Sequence, residues 1–218
     1  MLRKINWRYA IGEIIIVIIG ISIAFGLNRW ASGNKDRKLR TTYLESMLKD
    51  LDAETLHLRE NIASFERKVQ DIAAIRPHLY RKMPGRDTTA QKLFRLAQIV
   101  NFLPNDITYK TLVNSGHVNL LDDINLQKEI EAHYSNHPII QLDYERQNKI
   151  HEKYFGDFIM YHVDYDAIYS KNEYAFFDKK ELRNIINALY GTYNIAIKTS
   201  KSGIEQTEAL KKSLQEAL

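Results

Sequence analysis

Glu129, His133 and His137 recur at four-residue intervals, so on a helix they share one face. Paired histidines at i and i+4 are how a helix grips zinc, with a carboxylate as a usual third ligand. The HExxH order of a zinc hydrolase is absent, however, and Pro138 follows the second histidine directly, where it would disturb the turn that presents it. The three are candidate ligands only: a solvated polar face is the favoured reading, and no metal is assigned. Asp164 and Asp166 alternate as the first two ligands of a calcium loop do, but the glycine and distal glutamate of such a loop do not follow in register. The chain has no cysteine, which removes thiolate catalysis, disulfides and Cys-based zinc. It carries no glycine-rich phosphate loop and no nucleophile–base set. Gly116, in Asn114-Ser115-Gly116-His117, reads as a helix C-cap and not as a catalytic turn. The 13 tyrosines read as bundle core with hydroxyls reaching the surface, and a ligand groove is the second reading. Neither an enzymatic reaction nor a cofactor is expected.

Helices must position these residues, because 218 residues hold only 9 Gly and 4 Pro, too little punctuation for hairpins or sandwiches. Residues 1–40 carry eight basic side chains against Glu13 and Asp36, a net +6, while the whole chain is +4, so the remainder is −2. Basicity therefore flanks one apolar segment and is missing elsewhere. That distribution fits anionic lipid headgroups, and no nucleic-acid partner is expected.

The apolar segment runs from Ala10 to Leu27 with Glu13 as its one charge, at the lower edge of what spans a bilayer as a helix. Trp7 and Tyr9 at one end and Trp30 at the other are interfacial anchors. Trp7 to Trp30 would cover about 35 Å at the helical rise. A cleaved leader is the rival, with Ala31-Ser32-Gly33 as a loose cleavage site, but the run is too long and contains Glu13. On a helix Glu13, Gly20, Ala24 and Asn28 fall within about 80° of one another. They make a small, polar stripe that suits close helix–helix approach. The alternative is that Glu13 snorkels to the headgroups and the stripe is coincidence.

Beyond the span, Leu44, Leu48, Leu51, Leu58, Ile62, Phe65, Val69 and Ile72 follow alternating steps of four and three, with Thr55 the single polar entry. The favoured reading of this helix seam is a bundle helix covered by its own chain, and a parallel coiled coil between copies is the alternative. The expected fold is all-α. Residues 1–30 form a basic tail and transmembrane helix. Residues 31–218 form a soluble domain in which a long amphipathic helix (about 35–76) leads into an antiparallel helical bundle, with further helices at about 88–101, 108–115, 125–162 and 179–215. Pro77 is expected to end the long helix. Asp87 or Thr88 should cap the next, with Leu93, Phe94, Leu96, Ala97 and Val100 inward, and Asp178 with Glu181 should form a capping box for the last. Leu142, Ile150, Tyr154, Phe158 and Ile159 are expected inside the fourth, and residues 164–177 read as a tyrosine-rich connection.

Two stretches carry a resemblance. The span has the form acid-x-IVxxIGIxIAxxxNxW, matched by Glu13, Gly20, Ala24, Asn28 and Trp30, and is followed by "RKLRTTYLESMLKDL". Farther on stands "TYKTLVNSGHVNLLDDINLQKEIEAHY", residues 108–134. Together these resemble a widespread family of bacterial single-pass membrane proteins with no established activity. The basic flanks alone leave orientation nearly tied. The family's basic N-terminal tails imply an inner-membrane protein with the soluble domain in the periplasm. The expected role is scaffolding by protein–protein contact on a lipid bilayer, as a homo-oligomer or with another membrane protein. A sensor-like ligand-binding module is the alternative, and an enzyme comes third.

Overall fold

The computed structural model describes residues 7–218, with side chains from residue 11 onward. The basic tail and the side chains of Trp7 and Tyr9 lie outside the described residues. Every regular element among the described residues is helical. The order is α1 (Trp7–Tyr80), α2 (Arg86–Arg95), α3 (Ile107–Asn114), α4 (Ile124–Ile150), α5 (Gly156–His162), α6 (Tyr165–Lys171) and α7 (Lys180–Glu216). A π-helical turn, His151–Phe155, joins α4 to α5, and 3-10 turns occupy His117–Leu120 and Ala175–Asp178.

Helix α1 is one uninterrupted element of 74 residues. The expected boundary near residue 30 falls inside it, because the polar stretch 31–38 contains a single glycine, Gly33, and no proline. Pro77 does not end the helix either. It is exposed in the last turn, and the Arg81 N–H still donates to its carbonyl at 3.2 Å. Pro138 likewise lies inside α4 on an exposed position, where its ring has solvent beside it. A proline in a helix interior costs one hydrogen bond, and the neighbouring packing carries the element through.

The heptad row Leu44, Leu51, Leu58, Phe65 and Ile72 is wholly buried, with Leu79 continuing it. Leu48, Ile62 and Val69 are only half-buried. The second row that faces the domain is instead Met47, Glu54, Asn61, Lys68 and Ile75, seven residues apart and all buried. Three of those five are polar, so hydropathy periodicity passes over them. The seam is covered by the same chain. Contacts run in reversed order between α1 and α7, from Arg40 with the Ala217 carbonyl (2.8 Å) to Arg76 with Asn187 (3.3 Å). Reversed order also relates α4 to α7, from Asn136–Gln206 to His151–Tyr193.

Several local expectations are corrected. Helix α2 stops at Arg95, leaving Ala97 exposed, and its N-cap is Gly85 at φ 85°. On α4 the buried side is Ile140, Tyr144 and Gln147, continued by His151, Phe155 and Phe158, while Leu142 and Tyr154 are 48% and 52% exposed. Asp178 does not cap α7: its carboxylate accepts two hydrogen bonds from Arg86, at 2.6 and 3.2 Å, and Lys179 is the N-cap. The tyrosine-rich connection folds into α6 and a 3-10 turn that buries Phe176 and Phe177. Asp164 is the N-cap of α6, its side chain accepting from the Ala167 N–H at 3.0 Å.

Two apolar clusters fill the domain. The one nearer the apolar segment contains Leu44, Leu51, Leu126, Ile130, Leu210 and Leu214. The distal one contains Leu58, Phe65, Ile140, Tyr144, Leu189 and Tyr193. Each fully buried leucine contributes about 1.5–3 kcal/mol. On α1 the two clusters part between Leu51 and Leu58, and Glu54 lies in that gap.

Candidate functional site

The gap between the cores is a polar layer built from three helices. Glu54 of α1 is 1% exposed, and His133 and His137 of α4 are 6% and 5% exposed. His133 Nε2 stands 3.3 Å from Glu54 Oε1 and His137 Nε2 3.0 Å from Glu54 Oε2. From α7, the Thr207 hydroxyl donates to Glu54 Oε1 at 3.3 Å and to the Gly203 carbonyl at 2.8 Å. Burial pushes the Glu54 pKa up, but the close approach of the His133 and His137 rings, together with their charges, more than reverses this and holds it at about 2. An ionised carboxylate therefore sits between two cores, and the two imidazoles are its only ion-pair partners among the described residues.

The four-residue spacing does bring His133 and His137 to one face, with ring centroids 5.0 Å apart. That face is buried, not solvated, because Leu126, Ile130 and Tyr134 turn the same side of α4 inward. Glu129, the expected third member, is exposed. The carboxylate that joins the histidines comes from α1, a non-local partner that local spacing does not show. A heptad register does contain the signal: Glu54, Asn61 and Lys68 lie seven apart, each three residues after a buried apolar position.

The same polar row continues through the distal core. Asn61 donates to the Asn101 carbonyl at 3.1 Å. Lys68 donates to the Leu96 carbonyl at 3.2 Å and to the Gln98 carbonyl, closing the loop after α2 onto α1. Its ammonium lies 5.4 Å from the centroid of the Tyr193 ring. Tyr193 in turn pairs with His151 Nε2 at 3.1 Å, inside the π-helical turn. Burial, with the Lys68 charge, holds the His151 pKa at about 4; burial lowers that of Lys68 to about 8, partly offset by Asp71.

At the other end of the domain, Tyr43, Ser115 and His117 meet, with His117 Nδ1 2.8 Å from the Tyr43 hydroxyl and 2.9 Å from Ser115 Oγ. Ser115 Oγ already donates to helix carbonyls, and no carboxylate among the described residues is paired with the His117 ring. This trio ties α1 to the end of α3, where Ser115 is the C-cap and Gly116, expected in that place, follows it at φ 71° and opens the 3-10 turn.

The apolar segment stands apart from all of this. One helix among the described residues is long and apolar enough to cross a membrane, and none of its apolar window is buried. Glu13, Gly20, Ala24 and Asn28 are exposed, Trp30 is 69% exposed, and nothing lies within 4 Å of where a Gly20 side chain would begin.

Comparison with known proteins finds no match among curated proteins or solved structures. A family model described as a family of unknown function does match, over residues 13–148, from the apolar segment through nearly all of α4. Glu54, His133 and His137 lie inside the match, and α7 lies beyond it. The chain therefore belongs to DUF6090, a family of unknown function.

Proposed function

We propose that the protein is a single-pass inner-membrane scaffold, anchored by the start of α1 and acting through protein–protein contact as a homo-oligomer, with its domain in the periplasm. The supporting observation is the apolar window of α1: mean hydropathy 2.2, none of it covered by the rest of the chain. Such a surface is stable in lipid and unstable in water. The reversed contacts of α7 with α1 and α4 support reading the domain as an antiparallel bundle standing on that helix.

Because α1 continues without a break, a contact made in the membrane also sets how the domains face each other. At about 100° per residue, Lys49, Ala53, Leu56, Glu60 and Arg67 fall in the same about 80° sector as Glu13, Gly20, Ala24 and Asn28. All five are exposed, Leu56 by 60%. Copies that meet through Gly20 and Ala24 would therefore run on together along this face. The experiment compares self-association of the full-length protein in membranes with that of Gly20→Ile and Ile19→Phe. Bulk at Gly20 separates the backbones and abolishes association, whereas bulk at Ile19, on another face, leaves it intact. Equal association of Gly20→Ile and the parent would sink the scaffold reading.

A cleft of about 480 Å³ between α5 and α7, lined by Tyr154, Phe158, Tyr161, Glu181 and Ile185, favours ligand sensing as a second reading. A metabolite retained by the purified protein and lost in Tyr161→Ala would support it.

A further inference from the structure

We propose that Glu54, His133 and His137 bind a divalent transition-metal ion of the zinc class, which clips α4 to α1 between the two cores. Three buried polar atoms converge there without a geometrically satisfactory hydrogen bond: Glu54 Oε2, His133 Nε2 and His137 Nε2. A buried polar atom left unpaired costs about 1–3 kcal/mol, and a single cation satisfies all three together. One ligand atom from each residue lies within 4.8 Å of the others. The 3.0 Å from His137 Nε2 to Glu54 Oε2 is close to the about 3.4 Å between ligands that metal–ligand bonds of about 2.0–2.2 Å give in a tetrahedron, while His133 Nε2 stands 3.3 Å from the other oxygen, Oε1.

The ligand types also fit. Two imidazoles and one carboxylate suit zinc, cobalt or nickel better than calcium or magnesium, which take oxygen ligands. The Thr207 hydroxyl on Glu54 Oε1 supplies the kind of outer contact that orients a ligating carboxylate. A surface groove of about 400 Å³ has His133 in its wall, with Glu129, Asn136 and Gln206 around it. The residue after His133 is Tyr134, where a zinc hydrolase of this spacing carries its glutamate base. The ion is therefore structural: it ties the carboxylate to the two imidazoles and fixes the register of α4 on α1.

The test uses full-length, detergent-solubilised protein without an oligohistidine tag, stripped with EDTA and titrated with cobalt(II). The expected result is one cobalt per chain with visible d–d bands, displaced by zinc and unaffected by calcium or magnesium. His137→Asn and Glu54→Gln should each weaken binding about tenfold or more, while Glu129→Gln leaves it unchanged. X-ray absorption of the zinc-loaded parent should count two imidazole ligands, which holds even if a variant fails to fold. Absence of cobalt bands in the folded parent would overturn the proposal. So would bands that persist in a folded His137→Asn variant, or a zinc shell without two imidazoles, either of which marks an adventitious ion only.

Discussion

Gly203 of α7 lies against Ile140 of α4 so closely that a methyl on Gly203 would stand 3.2 Å from the Ile140 Cδ1 atom. The same methyl would stand 3.3 Å from Leu58 Cδ1 on α1. Side chains of all three long helices meet here, one turn from the Glu54 layer. Both neighbours are the free ends of flexible side chains, so Gly203→Ala needs a shift of only a few tenths of an ångström. Alanine also gains about 1 kcal/mol of helix propensity, and the two effects should leave its stability within about 1 kcal/mol of the parent. Gly203→Leu has no such escape and should cost about 1–3 kcal/mol or more by overpacking. Urea unfolding followed by helicity checks both; a Leu variant as stable as the parent would show that the helices do not pack this tightly.

The second prediction concerns pH. His151 titrates near 4 in the folded chain because burial and the Lys68 charge oppose its protonation, but near 6.5 when unfolded. Between those values the unfolded chain binds the proton that the folded chain refuses, so stability falls as pH drops from about 6.5 toward about 4. Lys68, lowered to about 8 by burial, makes stability rise again between about 8 and its unfolded value of about 10.4. Glu54, held at about 2, adds its own loss only below about 4.5. Between pH 4.5 and 6.5 the His151→Gln variant should thus show a shallower fall than the parent. Identical slopes would mean that His151 is not buried as neutral imidazole.

The ion pair of Arg86 with Asp178 yields a third prediction. Arg86 also donates to the His78 carbonyl at 3.1 Å and the Tyr174 carbonyl at 3.4 Å, and its guanidinium lies 5.5 Å from the centroid of the Phe177 ring. One planar fork therefore holds the segment before α7 against the end of α1, a geometry lysine cannot copy. Arg86→Lys should raise amide exchange across residues 174–178 while leaving the Glu54 layer protected. Asp178→Ala, at a half-exposed position, should cost only about 0–1 kcal/mol. Unchanged exchange in Arg86→Lys would count against the clamp.

How much of this was legible in the sequence varies residue by residue. The apolar row from Leu44 to Ile72 announced α1 and its buried side, since burial of leucine and phenylalanine needs no partner chemistry. Its companion row stayed hidden because Glu54, Asn61 and Lys68 are buried through hydrogen bonds that only the folded chain supplies. The spacing of His133 and His137 was visible, and its third member was misassigned to Glu129 because local spacing says nothing about a carboxylate on another helix. The π-helical turn has no sequence signal of its own. The inward set runs on from Ile140, Tyr144 and Gln147 to His151, Phe155 and Phe158 in steps of three and four, and the sequence reading followed the apolar Leu142, Ile150 and Tyr154 instead. Pro77 looked like a break and Pro138 like a disturbance of the turn at His137, but each occupies an exposed helical position where the cost is one hydrogen bond.

Orientation across the membrane gives the fourth prediction. Tyr169 is 81% exposed on α6, and the natural chain has no cysteine, so Tyr169→Cys is a clean reporter. It should react with an impermeant thiol reagent in intact spheroplasts. Reaction only after lysis would place the domain in the cytoplasm.

The central claim is that copies meet through one face of α1, and single-cysteine disulfide scanning in native membranes tests it most directly. Gly20→Cys, Ala24→Cys and, in the domain, Leu56→Cys should each give a covalent dimer on mild oxidation. Ile15→Cys and Ile19→Cys, on other sides of the helix, should stay monomeric. Dimers at Ile15 or Ile19 with none at Gly20 and Ala24, or no dimer at any position, would contradict the account.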